Sequence, residues 1–185
     1  MNACTDAEIR SLLARVAQVA DAGTVAAYLE LFTEDAVWEM PANPAVGAPA
    51  ERRAGRADIG AGVRARRAAG MQGPGTATRH VVAGTAVLPA PPTTATPDPR
   101  APDPATPDPA APDPAAPDPA AARAAVPGSA AAGSAAAATA AAVSYWMFFA
   151  DTTSAPRLVS VGRYDDELRQ VAGQWLLARR TITVG

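Results

Sequence analysis

Lysine is missing from this 185-residue chain, whose 16 basic residues are all arginine. Cysteine and histidine occur once each, as Cys4 and His80. One cysteine excludes an internal disulfide and fits a reducing compartment. One Cys with one His excludes a Cys/His metal cluster. Long apolar runs are also missing. The longest low-charge stretch, residues 126–150, is dominated by Ala, Gly and Ser, too weakly apolar for a good membrane span. A net charge of −2 provides no overall field for nucleic acid or an anionic membrane. No Gly-x-Ser-x-Gly turn or phosphate loop occurs, so a hydrolase triad or nucleotide site has no support. Asp6, Glu8 and Arg10 precede any apolar run, unlike the start of a secretion signal. These absences point to a soluble cytoplasmic protein.

What is abundant is proline, and it is unevenly spread. Fourteen of the 19 prolines fall in residues 89–142, and Pro-Asp-Pro recurs from positions 97, 102, 107, 112 and 117 with a five-residue period. Proline fixes φ and removes a hydrogen-bond donor, so this run is expected to be a polyproline-like spacer outside any sheet. Its Ala-rich second part, residues 120–142, has the composition of a transient helix. Large apolar side chains that could offset the ordering entropy are missing throughout. The sequence therefore predicts one domain formed by residues 1–88 and 143–185, with a low-complexity, disordered insert over 89–142.

On either side of that insert the patterning is regular. Thr5 and Glu8 have capping-box spacing. Ile9, Leu12, Leu13, Val16 and Val19 or Ala20 recur at helical intervals, and Gly23 ends the helix. Thr24 caps a second helix with Val25, Tyr28, Leu31 and Phe32 as its buried stripe. Glu34-Asp35 reads as a turn, residues 36–40 as a short strand, and Pro44 to Arg56 as loop. Asp58 can cap a third helix through Ile59 and Val63. Six arginines lie between Arg52 and Arg67; they fit a solvated face better than a phosphate contact, because no aromatics interleave them. Residues 76–88 read as a strand on which His80 shares a face with Thr78 and Val82. Residues 143–150 read as a strand apolar on both faces, and the end of the chain as a hairpin turning at Ala172-Gly173. Asp165, Asp166 and Glu167 are expected to form cross-strand ion pairs, with Arg180 as a partner.

Helices followed by long antiparallel strands give an α+β architecture, a curved sheet wrapped around the first helices as a cone. Four stretches carry a resemblance in order: Leu-Phe-Thr-Glu-Asp-Ala-Val-Trp ending at Trp38, Thr-Arg-His ending at His80, Gly-Arg-Tyr-Asp-Asp-Glu-Leu ending at Leu168, and Gly-Gln-Trp-Leu-Leu-Ala-Arg-Arg ending at Arg180. Over residues 5–88 and 143–184 the chain resembles the SnoaL-like group of the nuclear transport factor 2-like superfamily. That superfamily holds cyclases, dehydratases, isomerases, epoxide hydrolases and non-catalytic members, so the resemblance implies the fold and leaves the reaction open. It puts the insert in a hairpin between two sheet strands.

The resemblance also implies a site. In scytalone dehydratase-like members an acid at the end of the first helix faces a His on the strand opening Thr-x-His; by motif these fall on Asp21 and His80. A carboxylate held against the imidazole fixes its tautomer and lets it move protons near neutral pH. The pocket is expected to be lined by Tyr28, Trp38, Met40, Val82, Tyr145 and Tyr164. Where the dehydratase has tyrosines this chain has Ala20 and the Trp38 to Met40 region, which argues against scytalone-type dehydration itself. Two readings remain. One is a cofactor-free lyase, isomerase or cyclase acting on a small cyclic, mostly apolar substrate. The other is a non-catalytic ligand-binding or dimerisation module. Relatives commonly pair through the outer sheet face, which implies a homodimer with Trp146 and Phe148 as its contacts.

Overall fold

The computed structural model describes residues 3–89 and 137–185. The Pro-Asp-Pro repeat and most of the Ala-rich run lie outside the described residues. The elements in chain order are α1 (Ala3–Ala22), α2 (Val25–Leu29), β1 (Phe32–Met40), a 3-10 turn (Pro44–Val46), β2 (Glu51–Ala54), α3 (Gly55–Ala68), β3 (Arg79–Pro89), β4 (Thr139–Ala150), β5 (Arg157–Val171) and β6 (Gln174–Val184). The strands form one sheet in the order β2-β1-β6-β5-β4-β3, antiparallel except for the parallel pair β1/β6. This mixed, curved sheet with three helices is the expected α+β cone. Among the described residues no helix is long and apolar enough to cross a membrane.

The apolar stripe of α1 supplies one side of the core. Ile9, Leu13 and Val16 are essentially inaccessible, and Leu12 and Ala20 nearly so. They join a single cluster with Phe32, Ile59, Val63, Leu168 and Leu177 from the sheet and from α3. Arg10 donates to the carbonyl of Thr85, pinning α1 to β3. Alternation along the strands sets the inner face: Ala140, Ala142, Ser144 and Trp146 of β4, and Tyr164, Asp166 and Leu168 of β5, are all buried.

Several local expectations are corrected. Helix α1 begins at Ala3, so Thr5 and Glu8 lie inside its first turns rather than at its boundary. Nothing just before Thr5 breaks a helix, and one Thr costs a helix little. Thr24 does cap α2, its Oγ1 accepting the N–H of Ala27 at 3.1 Å, but that helix ends at Leu29 and Phe32 is buried as a strand residue. Glu34 and Asp35 belong to β1. They sit in a bulge where the register against β6 jumps between Phe32 and Val37, with Arg56 donating to the Phe32 carbonyl at 2.8 Å. The expected loop before α3 contains β2, paired with β1 from Val37↔Ala54 to Met40↔Glu51. Asp58 helps cap α3 from inside its first turn, accepting the N–H of Ala54 at 3.1 Å.

The strands bordering the insert run further than the composition suggests. β3 continues through Pro89, which is tolerable because β3 is an edge strand. β4 begins at Thr139 and takes in Ala140 and Ala142, 2 % and 1 % exposed. Trp146 is buried on the inner face, and Phe148 on that face packs against His80, the ring planes tilted by 42° and the centroids 4.6 Å apart. Neither belongs to an outer contact surface.

Candidate active site

Asp21 lies in the last turn of α1, and His80 is the second residue of β3. The carboxylate holds His80 at two points. Oδ2 accepts the main-chain N–H at 2.7 Å, and Oδ1 lies 2.6 Å from ring Nδ1. Asp21 is 4 % exposed. A carboxylate is an acceptor only, so Nδ1 carries the proton and Nε2 is the ring nitrogen left for chemistry. Phe148 fixes the ring from the side.

Beside the pair is a small cavity of about 60 Å³, walled by Val16, Ala17 and Ala20 of α1, Tyr28, Trp38, Arg66, Gln72, His80, Tyr164, Arg180 and Ile182. Burial pushes the phenols of Tyr28 and Tyr164 well above their ordinary range, against the opposing pull of the Arg180 charge. Both therefore stay protonated and can donate hydrogen bonds. Arg180 is 3 % exposed. It donates from Nε and Nη2 to the two oxygens of Asp166, both at 2.8 Å, and its guanidinium lies 4.0 Å above the Tyr164 ring. Burial alone lowers an arginine pKa, but the Asp166 charge and hydrogen bonds outweigh it and hold Arg180 charged. Arg66 lies over the Trp38 ring at 4.8 Å and donates to Glu51 at 3.2 Å. A larger open groove, about 720 Å³, lies elsewhere, between the first half of α1 and residues 173–176. It contains neither Asp21 nor His80, so the smaller cavity is the candidate site. Among the described residues no three His, Cys, Asp or Glu side chains converge as metal ligands.

Of the expected pocket residues, Tyr28, Trp38 and Tyr164 line the cavity with His80. Met40 packs against the core and Val82 sits two residues beyond His80, and neither reaches the cavity wall. Tyr145 is misplaced by the expectation. It is 63 % exposed, on the outer face of β4, because strand parity turns it opposite to Ser144 and Trp146. Arg180 is expected only as an ion-pair partner, and it does pair with Asp166. Its place on the cavity wall is missed by sequence reasoning, although the alternation Tyr164, Asp166, Leu168 already puts that Asp on the inner face. β6 hides the matching signal, because a bulge between Leu177 and Arg179 shifts its parity. The Arg-rich segment is mostly bonded within the fold: Arg53 to Glu51 and Asp58, Arg66 to Glu51, Arg56 to Phe32, and Arg67 to α1.

Comparison with known proteins agrees with this architecture. No curated protein matches the chain. Among solved structures, a protein of unknown function with a cystatin-like fold from Nostoc punctiforme is 16 % identical, the match covering 100 % of this chain and 94 % of that one at a TM-score of 0.61. Aln2 from a Streptomyces species is 14 % identical over 100 % and 93 % of the two chains, with a TM-score of 0.62. ActVI-ORFA from Streptomyces coelicolor is 20 % identical over 97 % of each, with a TM-score of 0.58. At these identities the likenesses establish the fold. The SnoaL-like domain model matches residues 2–99, more than half of the sequence, and the chain therefore belongs to the SnoaL-like domain family.

Proposed function

We propose that this protein is a cofactor-free acid–base catalyst, a lyase, isomerase or cyclase, acting on a small cyclic and mostly apolar substrate. The observation that carries the reading is the two-point hold of Asp21 on His80, at 2.7 and 2.6 Å, beside a cavity walled by protonated phenols. Asp21 keeps Nδ1 protonated. Nε2 removes a proton from the substrate and can return it at a neighbouring atom, while Tyr28 and Tyr164 donate to the oxygen on which charge collects. On this reading the protein works as a homodimer paired through the outer sheet face.

The reading is tested by proton exchange, which needs no knowledge of the natural product. Small cyclic ketones are incubated with the protein in deuterated buffer, and loss of the α-proton signals is followed by NMR. Asp21→Asn and His80→Gln are each expected to slow exchange about a hundredfold, the scale of one general acid–base group. Equal rates in the parent and both variants would rule the proposal out.

A second reading is favoured by the cavity's size. About 60 Å³ is far below the roughly 300–1,000 Å³ of ligand pockets. A non-catalytic module of the same fold has no need of more room. Exchange no faster than in buffer, with ligand binding intact, is the outcome that selects it.

A further inference from the structure

We infer that Arg67 is a positioning residue for the Asp21–His80 pair, acting through the last turn of α1. The inference rests on the acid–base reading for its functional meaning, whereas its test reads the hydrogen bond itself.

The last turn of a helix leaves main-chain carbonyls without partners, and a cation is the natural complement to them. Helix α1 carries no basic residue in its own last turn. Arg67, from the end of α3, supplies one across space. Its Nη1 donates to the Gly23 carbonyl at 2.8 Å, and its Nη2 donates to the Ala20 carbonyl at 3.1 Å and, at 3.2 Å, to that of Val19, which also accepts the Gly23 N–H. Asp21 sits inside the turn these three carbonyls define.

Arg67 differs from its neighbours in how it is bonded. Arg53 and Arg66 are both ion-paired with Glu51, whereas among the described residues the hydrogen bonds of Arg67 go to the main chain of α1 and the Gly23 that follows it. Its Nε is buried with no partner among the described residues. The stem passes close to the chain at Gly73, where a Cβ would come within 2.8 Å of Arg67 Cγ. A planar fork fixed in this way sets both the height and the rotation of the helix end, which a point charge on a flexible stem cannot do. Asp21 needs that precision, because its carboxylate meets both the main-chain N–H and Nδ1 of His80 at short range.

The test uses the chain's single imidazole, observed by proton–nitrogen NMR in the full-length protein. The parent is expected to show a downfield, slowly exchanging Nδ1 proton. Arg67→Met keeps the stem and removes the donors; the signal should be lost or move upfield while far-UV circular dichroism stays unchanged. Arg67→Lys keeps the charge and loses the fork, and an intermediate shift is expected. A folded Arg67→Met protein with an unmoved signal overturns the inference, even if its melting temperature falls, because a purely structural role predicts that pattern. Should Arg67→Met fail to fold, Arg67→Lys carries the test: a shifted signal supports the inference and an unmoved one overturns it. No Nδ1 proton in the parent would remove the pair itself, a failure distinct from that of Arg67.

Discussion

Asp166 and Arg180 meet on neighbouring strands with 0 % and 4 % of their side chains exposed. Removing one partner of such a buried pair leaves an uncompensated charge, which costs about 3–5 kcal/mol. Arg180→Met is therefore expected to lower the urea midpoint strongly, and Asp166→Leu in the same chain to recover much of the loss. A single variant as stable as the parent would show that the pair contributes little. The buried phenols give a second prediction. Tyr28 and Tyr164 are both raised above the ordinary phenol value of about 10. Below that pH the folded and unfolded chains hold the same protons at these sites. Above it only the unfolded chain releases them, so stability should fall as pH rises past about 10. Tyrosinate absorbance from these two phenols should appear together with the loss of circular dichroism, and Tyr164→Phe should flatten the decline. At the residue scale, much of the site is legible in the sequence. Asp21 and His80 can be named because a motif fixes their places in two elements. Arg180 is not legible as a cavity residue, since an arginine beside acids reads as surface until the bulge in β6 is known.

β4 is the element whose placement depends most on small side chains. Ala140, Ala142 and Ser144 occupy the inner positions where the core cluster comes closest, and Trp146 follows where the partner residue on β5 is Gly162. A Cβ at Gly162 would lie 2.7 Å from the Trp146 ring and 2.0 Å from the carbonyl oxygen of Thr183. Gly162→Ala should cost about 1–3 kcal/mol as an overpacked core does, seen as a melting temperature several degrees lower. Unchanged melting would mean that β5 and β6 separate easily. These positions also explain what the sequence conceals. Alanine has low strand propensity, and Thr139 to Ala142 follow a long Ala-rich run, so the register with Leu168 and Asp166 that makes them strand has no local signal. Likewise β2 is only four residues long and is masked by the prolines before it. The long elements α1 and β5 are legible because each keeps a sustained period of 3.6 or 2, whereas β3 and β6 each carry a bulge that shifts their parity.

The whole molecule carries a contiguous apolar patch on the convex side of the sheet. Val81, Met147 and Val161 are register partners across β3, β4 and β5, and Tyr145 and Val159 adjoin them, with Val81, Val161, Val159 and Tyr145 all at least 40 % exposed. Exposed patches of this kind mark association surfaces. The homodimer proposed above should thus use this face. Sedimentation is expected to give a dimer at tens of micromolar, roughly where a modest interface still holds, and Tyr145→Asp with Val161→Asp should give a folded monomer. A parent that is monomeric under those conditions removes the proposal. Outer and inner faces cannot be assigned from residues 143–150 alone, which are apolar at both parities; only the helices covering one side settle the matter.

The pairing of Pro89 with Ala140 makes this molecule a ready host for foreign sequence. Paired residues of neighbouring strands lie about 5 Å apart, so whatever connects them enters and leaves at nearly one point. Closing a longer connection costs only about 0.6 kcal/mol for each doubling of its length. Residues 91–137 should accordingly be exchangeable for a short Gly-containing turn, or for a folded reporter, with the melting temperature of the body moving by only a few degrees. The hairpin end would then act as a cloning port, through which cargo of almost any length is displayed without redesigning the cone.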